Sequence, residues 1–143
     1  MLKKLFFRLE PDEDGYPPVS AESVWAEEQE PGRLVLDNIP FFATQATLGD
    51  VVDAVVEDGV LTYKTTVRHC GNSLIRIVCY KGTDPAEVRR QIEVLGCSSE
   101  LDSHHSLISV NIPTNIDLKV VQAFLRQGAV EDKWDYEEPL LMQ

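Results

Sequence analysis

Apolar and polar residues alternate in short runs through the first half of the chain. In KKLFFRLE, Leu5, Phe7 and Leu9 alternate with Phe6 and Arg8, the period of a half-buried strand. ESVWAEEQ and RLVLDNIP flank Glu30-Pro31-Gly32, and Pro followed by Gly at the centre suits a type II turn. GDVVDAVVED and GVLTYKTTVRH meet at Asp58-Gly59, a hairpin signal. Five short strands of this kind predict a small antiparallel, SH3-like β-barrel, because closure removes exposed edges.

The pattern changes at Cys70-Gly71-Asn72-Ser73, which reads as a linker or sharp turn. SLIRIVCYK is a strand with Ile75, Ile77 and Cys79 on one face and Leu74, Arg76 and Val78 on the other. TDPAEVRRQIEVLG predicts a helix. Asp84 caps it, Pro85 takes its first position, Glu87 completes a capping box and Gly96 ends it, with Val88, Ile92 and Leu95 toward the core. CSSELDSH and HSLISVNIP follow as strands, the second with Ile108, Val110 and Ile112 inward. TNIDLKVVQAFLRQG predicts a second helix, capped by Thr114 or Asn115, striped by Leu118, Val121 and Leu125 and stopped by Gly128. KWDYEEP closes as a strand with Trp134 and Tyr136 on one face. This βαββαβ order predicts a ferredoxin-like α+β domain over residues 71–143, after a barrel over residues 1–70.

Charge narrows the classes of partner. The 143 residues carry 13 basic and 24 acidic side chains, a formal net charge of −11. Such a surface repels nucleic-acid phosphates and anionic membrane and attracts basic proteins. Tyr80, Trp134 and Tyr136 would sit on the second sheet, but no basic rim accompanies them as RNA recognition requires. Cys70, Cys79 and Cys97 form no C-x-x-C pair, so neither a disulfide framework nor structural zinc is expected. Leu5-Phe6-Phe7 is too short for a secretory apolar region, and no apolar run reaches membrane-span length. A cytoplasmic protein is the expectation.

Three constellations invite chemistry. Glu10, Asp12, Asp14 and Gly15 stand at positions one, three, five and six of a calcium loop. Position twelve is Ala21, however, with Glu22 one place late, and the flanks read as strand, so no metal is expected. Asp102, His104 and His105 lie together in DSHH, but adjacent histidines on a strand face opposite ways, and His69 is remote in sequence. An enzyme using Asp102 and His104, with His69 converging on them, is the least favoured reading. No nucleophile elbow or phosphate-cradling loop is present, and no cofactor is expected. The third constellation is acid beside aromatics: EPDEDGY, WAEEQE and EDKWDYEE. Aromatic anchors rimmed by carboxylates suit docking to a basic protein.

The ordered segments DEDGYPP, ESVWA, LDNIPFF, LGDVVDA, DGVL, GNSLIRI, LGC and WDYEEP carry a resemblance. Over roughly residues 5 to 138 the chain resembles a bacterial family, domain of unknown function number 4265. The resemblance brings no activity with it; it implies membership among candidate immunity proteins of polymorphic toxin systems.

Together these features lead to the expectation of a non-enzymatic immunity protein that occludes a basic, nuclease-like toxin domain. The expected contacts are Asp12, Glu13, Asp14, Glu137 and Glu138, with Trp25 or Tyr136 as anchors. The alternative is an acidic regulator of a housekeeping protein, such as a ribonuclease or a ribosome-associated factor. The sequence carries no indication of oligomeric state.

Overall fold

In the computed structural model, which describes residues 1–143, the alternating N-terminal runs form β1 (Leu2–Arg8), β2 (Ala21–Glu30), β3 (Arg33–Leu36), β4 (Val51–Glu57) and β5 (Val60–Arg68). Consecutive strands pair antiparallel, with β1 and β2 in register from Leu2↔Glu27 to Arg8↔Ala21. The period-2 pattern turns Leu5, Phe7, Val24, Ala26, Leu34 and Val52 into one core. Phe7 stacks on Tyr63 there, with ring centroids 4.7 Å apart. Between β3 and β4 the chain leaves the sheet, and Ala43 and Ala46 bury against the same core. Glu22 fixes this excursion, its carboxylate accepting the amides of Phe41, of Phe42 at 3.0 Å and of Ala43 at 2.8 Å.

The second unit contains β6 (Ser73–Cys79), α1 (Pro85–Val94), β7 (Ser98–Asp102), β8 (Leu107–Ile112), α2 (Leu118–Val130) and β9 (Trp134–Leu140). Its four antiparallel strands lie in the order β7-β8-β6-β9. Ile75, Ile77, Ile108 and Val110 meet Val88, Ile92, Val121 and Leu125 of the helices. By contacts, the chain divides into Met1–Cys70 and Gly71–Gln143.

The expected fold, an antiparallel SH3-like barrel followed by a ferredoxin-like domain, needs correction. The chain is mostly antiparallel β, in one five-stranded and one four-stranded sheet, with two helices. Five strands alternating in direction leave the first and last parallel. β1 and β5 therefore meet in a single parallel pair, Phe6↔Thr62, rather than an antiparallel ladder. In the second sheet both faces are buried: every residue of β8 is buried, and in β6 Leu74 and Arg76 are as buried as Ile75 and Ile77 on the opposite face.

Three local expectations also change. Asp84 caps α1 as expected, accepting the Ala86 amide at 3.0 Å, but Glu87 turns to Arg90 and Gln91 instead of completing a box. The cap of α2 is Asp117, which accepts the Lys119 amide at 3.0 Å, rather than Thr114 or Asn115. Gly128 lies inside α2 rather than stopping it, because the Trp134 ring occupies the space where a side chain would stand.

Candidate functional site

Strand alternation places the first candidate. With Val24 and Ala26 buried, Trp25 projects from β2 and is 45% exposed. Its register partner Lys4 holds Nζ 5.6 Å from the ring centroid, a cation–π contact. Asn38 Oδ1 accepts the Trp25 amide at 2.6 Å, which fixes the backbone beneath the ring. Phe6, two residues beyond Lys4 on the same face, lies diagonal to Trp25 and half-buried.

Phe6 also lines a groove of about 430 Å³ with Arg8, Glu10, Glu57, Asp58 and Val60. Arg8 Nη2 lies 3.2 Å from Glu57 Oε2 and 3.9 Å from Asp58 Oδ2. Asp58 and Gly59 form the adjoining hairpin tip with positive φ of 51° and 81°, as a two-residue hairpin turn requires. Glu10, Glu57 and Asp58 thus border the groove beside Phe6, while the charged group against the Trp25 ring is Lys4. Sequence reasoning selected Trp25 and missed Phe6, Glu57, Asp58 and Val60. The available signal was Phe6 itself, an aromatic on the polar phase of an alternating strand.

The acidic loop divides by role. Asp12 Oδ1 accepts the amides of Asp14 at 2.9 Å and Tyr16 at 3.0 Å, so this carboxylate builds the turn. The Tyr16 ring meets Phe42 edge-on at 6.4 Å, and the Tyr16–Pro17 peptide is cis. Glu13 and Asp14 keep exposed carboxylates.

In the second unit the predicted contacts have internal partners. Glu137 Oε1 lies 3.4 Å from Nη1 of Arg76, which is only 1% exposed. Glu138 accepts from Gln122 Nε2 at 2.7 Å, and Tyr136 packs against the core shared with the helices. Each of these side chains already has an internal job, and a buried arginine is costly without its counter-charge.

Within the second unit, Asp102 and His104 do not pair side chain to side chain. Asp102 bonds His105, not His104, with Oδ2 2.7 Å from Nδ1, while its Oδ1 accepts the His104 amide at 3.1 Å. Burial raises the Asp102 pKa, but His105 and the turn amides outweigh it and hold the carboxyl below its ordinary value. His69 belongs to the first unit, its Nδ1 2.9 Å from Oδ2 of the wholly buried Asp50. Nineteen residues separate that pair, and no local motif announces it. Within either unit, no three His, Cys, Asp or Glu side chains are placed to hold a metal ion.

The family pattern described as domain of unknown function DUF4265 matches residues 22–136, most of the chain. The chain belongs to the DUF4265 family. The match takes in Trp25, the Asp58–Gly59 hairpin and all of the second unit up to Tyr136, while Phe6 and the Asp12 loop precede it. This DUF4265 chain is also similar to a hypothetical protein from Neisseria gonorrhoeae of known crystal structure. The two are 22% identical with a TM-score of 0.84, over 100% of this chain and 97% of the other. That likeness is one of fold. No curated protein matches the sequence. No helix is long and apolar enough to cross a membrane.

Proposed function

We propose that this DUF4265 protein is a non-enzymatic binding module whose partner is a basic protein, met through the outer face of β1 and β2. The observation that carries the reading is Trp25, a half-exposed tryptophan on β2, diagonal to Phe6, whose groove is bordered by Glu57 and Asp58. Rigid aromatic anchors in a charged rim are the pattern of interaction hot spots. The net charge of −11 adds long-range attraction for a cationic partner and makes association salt-sensitive. Glu13 and Asp14 remain as accessory contacts. Tyr136, Glu137 and Glu138 serve the second unit's own packing and are secondary.

The specific form proposed is a cytoplasmic immunity protein that occludes the cationic active site of a toxin domain, its carboxylates standing where phosphates would bind. The test is co-purification of tagged protein from its source cells, with Trp25→Ala as the comparison. A bound basic protein that is released by the substitution supports the reading. Capture that ignores Trp25 and withstands high salt would refute it.

A further inference from the structure

We infer that the groove between α1 and the start of β7 binds a small carboxylate, held by Arg89 and Arg90 together with the hydroxyls of Ser98 and Ser99. This site lies beyond the protein-binding reading above and does not rest on it. Helical spacing builds one wall: Ala86, Arg89, Arg90 and Glu93 recur at three and four residues and share one side of α1. Cys97, Ser98 and Ser99, where the chain leaves the helix and enters β7, build the other. Between them lies a groove of about 530 Å³, within the range of small-molecule sites.

Arg89 is already oriented. Its Nε donates to the Ser99 hydroxyl oxygen at 3.0 Å, and its Nη2 donates to the Ser99 carbonyl at 2.9 Å. Those two bonds use the side-on edge of the guanidinium and fix its plane. The end-on edge, formed by Nη1 and the second Nη2 hydrogen, keeps a pair of donors matched to two carboxylate oxygens. Because the Ser99 oxygen accepts from Arg89, its own hydrogen is available to donate as well. A clamp made by a neutral serine also leaves the charge of Arg89 uncancelled. The two other arginines that are not exposed are held differently: Arg33 lies 2.8 Å from Asp53, and Arg76 lies 3.4 Å from Glu137.

Charge selects the ligand. Arg89 and Arg90 stand against Glu93 on the lining, two cations to one carboxylate, which leaves a single positive charge in excess. Arg90 also meets Glu87 one turn back, an exposed pair of the kind that holds weakly. One excess charge matches a monoanion. The net charge of −11 repels a doubly charged phosphate more strongly than a carboxylate. Ala86 and Cys97 supply apolar lining for a short carbon chain.

The probes are sodium butyrate and sodium phosphate, each titrated into the isotope-labelled full chain at constant ionic strength. Backbone amide and arginine Nε–H signals are followed by NMR. Butyrate should shift the Arg89 Nε–H and the Ser98 and Ser99 amides along saturating curves with one Kd, and phosphate should bind at least about tenfold more weakly. Arg89→Lys should raise the butyrate Kd at least about tenfold, because an ammonium offers no planar pair of donors, with the remaining spectrum unchanged. Ser99 is a positioning residue: Ser99→Ala should raise the Kd about fivefold, and Ser99→Thr, which keeps the hydroxyl, should restore it. Shifts that never saturate, a Kd unmoved by Arg89→Lys, or phosphate binding as tightly as butyrate would each overturn the assignment.

Discussion

His69 Nδ1 lies 2.9 Å from Oδ2 of Asp50, a carboxylate with no exposed surface. The same oxygen accepts the Thr47 amide at 2.9 Å, and Oδ1 accepts the Cys70 amide at 2.9 Å. Asp50 therefore ties the segment before β4 to the chain leaving β5. Removing an acceptor that serves several donors strands buried polar groups. Asp50→Ala is expected to lower stability by about 3 kcal/mol, and His69→Ala by only about 1 kcal/mol, since both backbone donors survive the second change. Urea unfolding of the two variants checks the order; equal losses would contradict it.

Trp25 and Trp134 differ in exposure by enough to be separated in solution, at 45% and 3%. Iodide should quench Trp25 and spare Trp134. Trp25→Ala should remove the quenchable emission while changing stability by no more than about 0.5 kcal/mol, because the side chain packs outward. A large loss of stability would mean that the ring supports the fold and is not held ready for a partner.

The strands were legible because period 2 is a strong signal and because turn residues mark the gaps, as at Gly32 and Asp58-Gly59. Trp25 was legible for the same reason, standing between inward Val24 and Ala26. The seam between β1 and β5 was not. Which residues face each other at the ends of a sheet depends on twist and stagger accumulated over several pairings, including the register shifts in β4 and β5. Alternation also says which face a residue occupies but not whether that face is covered, and so it sets Arg76 opposite Ile75 and Ile77 without showing that it is buried. Glu137 was misjudged with it, because its counter-charge stands 61 residues away.

The three cysteines should react unequally. Cys70 is exposed, whereas Cys79 and Cys97 are buried. Burial pushes the Cys97 thiol up to about 11, and burial together with nearby Asp84 raises that of Cys79. At neutral pH these two remain thiols, the unreactive form. Alkylation of the folded protein followed by mass mapping should mark Cys70 alone, and all three cysteines should react after unfolding. Early labelling of Cys97 would contradict the packing beneath α1.

Asp102 gives the protein an acid-side dependence whose sign can be stated. Burial opposes ionisation of its carboxyl, but His105 and the amides of His104 and His105 prevail, so the folded-state pKa lies below the ordinary 3.8. A depressed carboxyl contributes stability that is fully present above the unfolded value and is lost as pH falls through the folded one. Asp102→Asn should therefore be less stable than the parent above pH 3.8, with the difference narrowing as pH falls further. Denaturant midpoints measured across that range test this; curves that stay parallel would count against it.

Gly128 offers the sharpest test of packing in the second unit. It lies within α2, where alanine would ordinarily be preferred to glycine by about 1 kcal/mol. A Cβ there would stand 1.9 Å from Cζ2 and 2.1 Å from Cε2 of Trp134. That ring cannot easily retreat. Its Nε1 donates to the Leu125 carbonyl at 3.0 Å, and Phe124 packs against it at 5.2 Å. Steric overlap of this kind outweighs helix propensity, so Gly128→Ala should destabilise the protein by about 3 kcal/mol. It should also red-shift the Trp134 emission by admitting water to the ring. A stabilising effect would mean that α2 and β9 are not packed through this glycine.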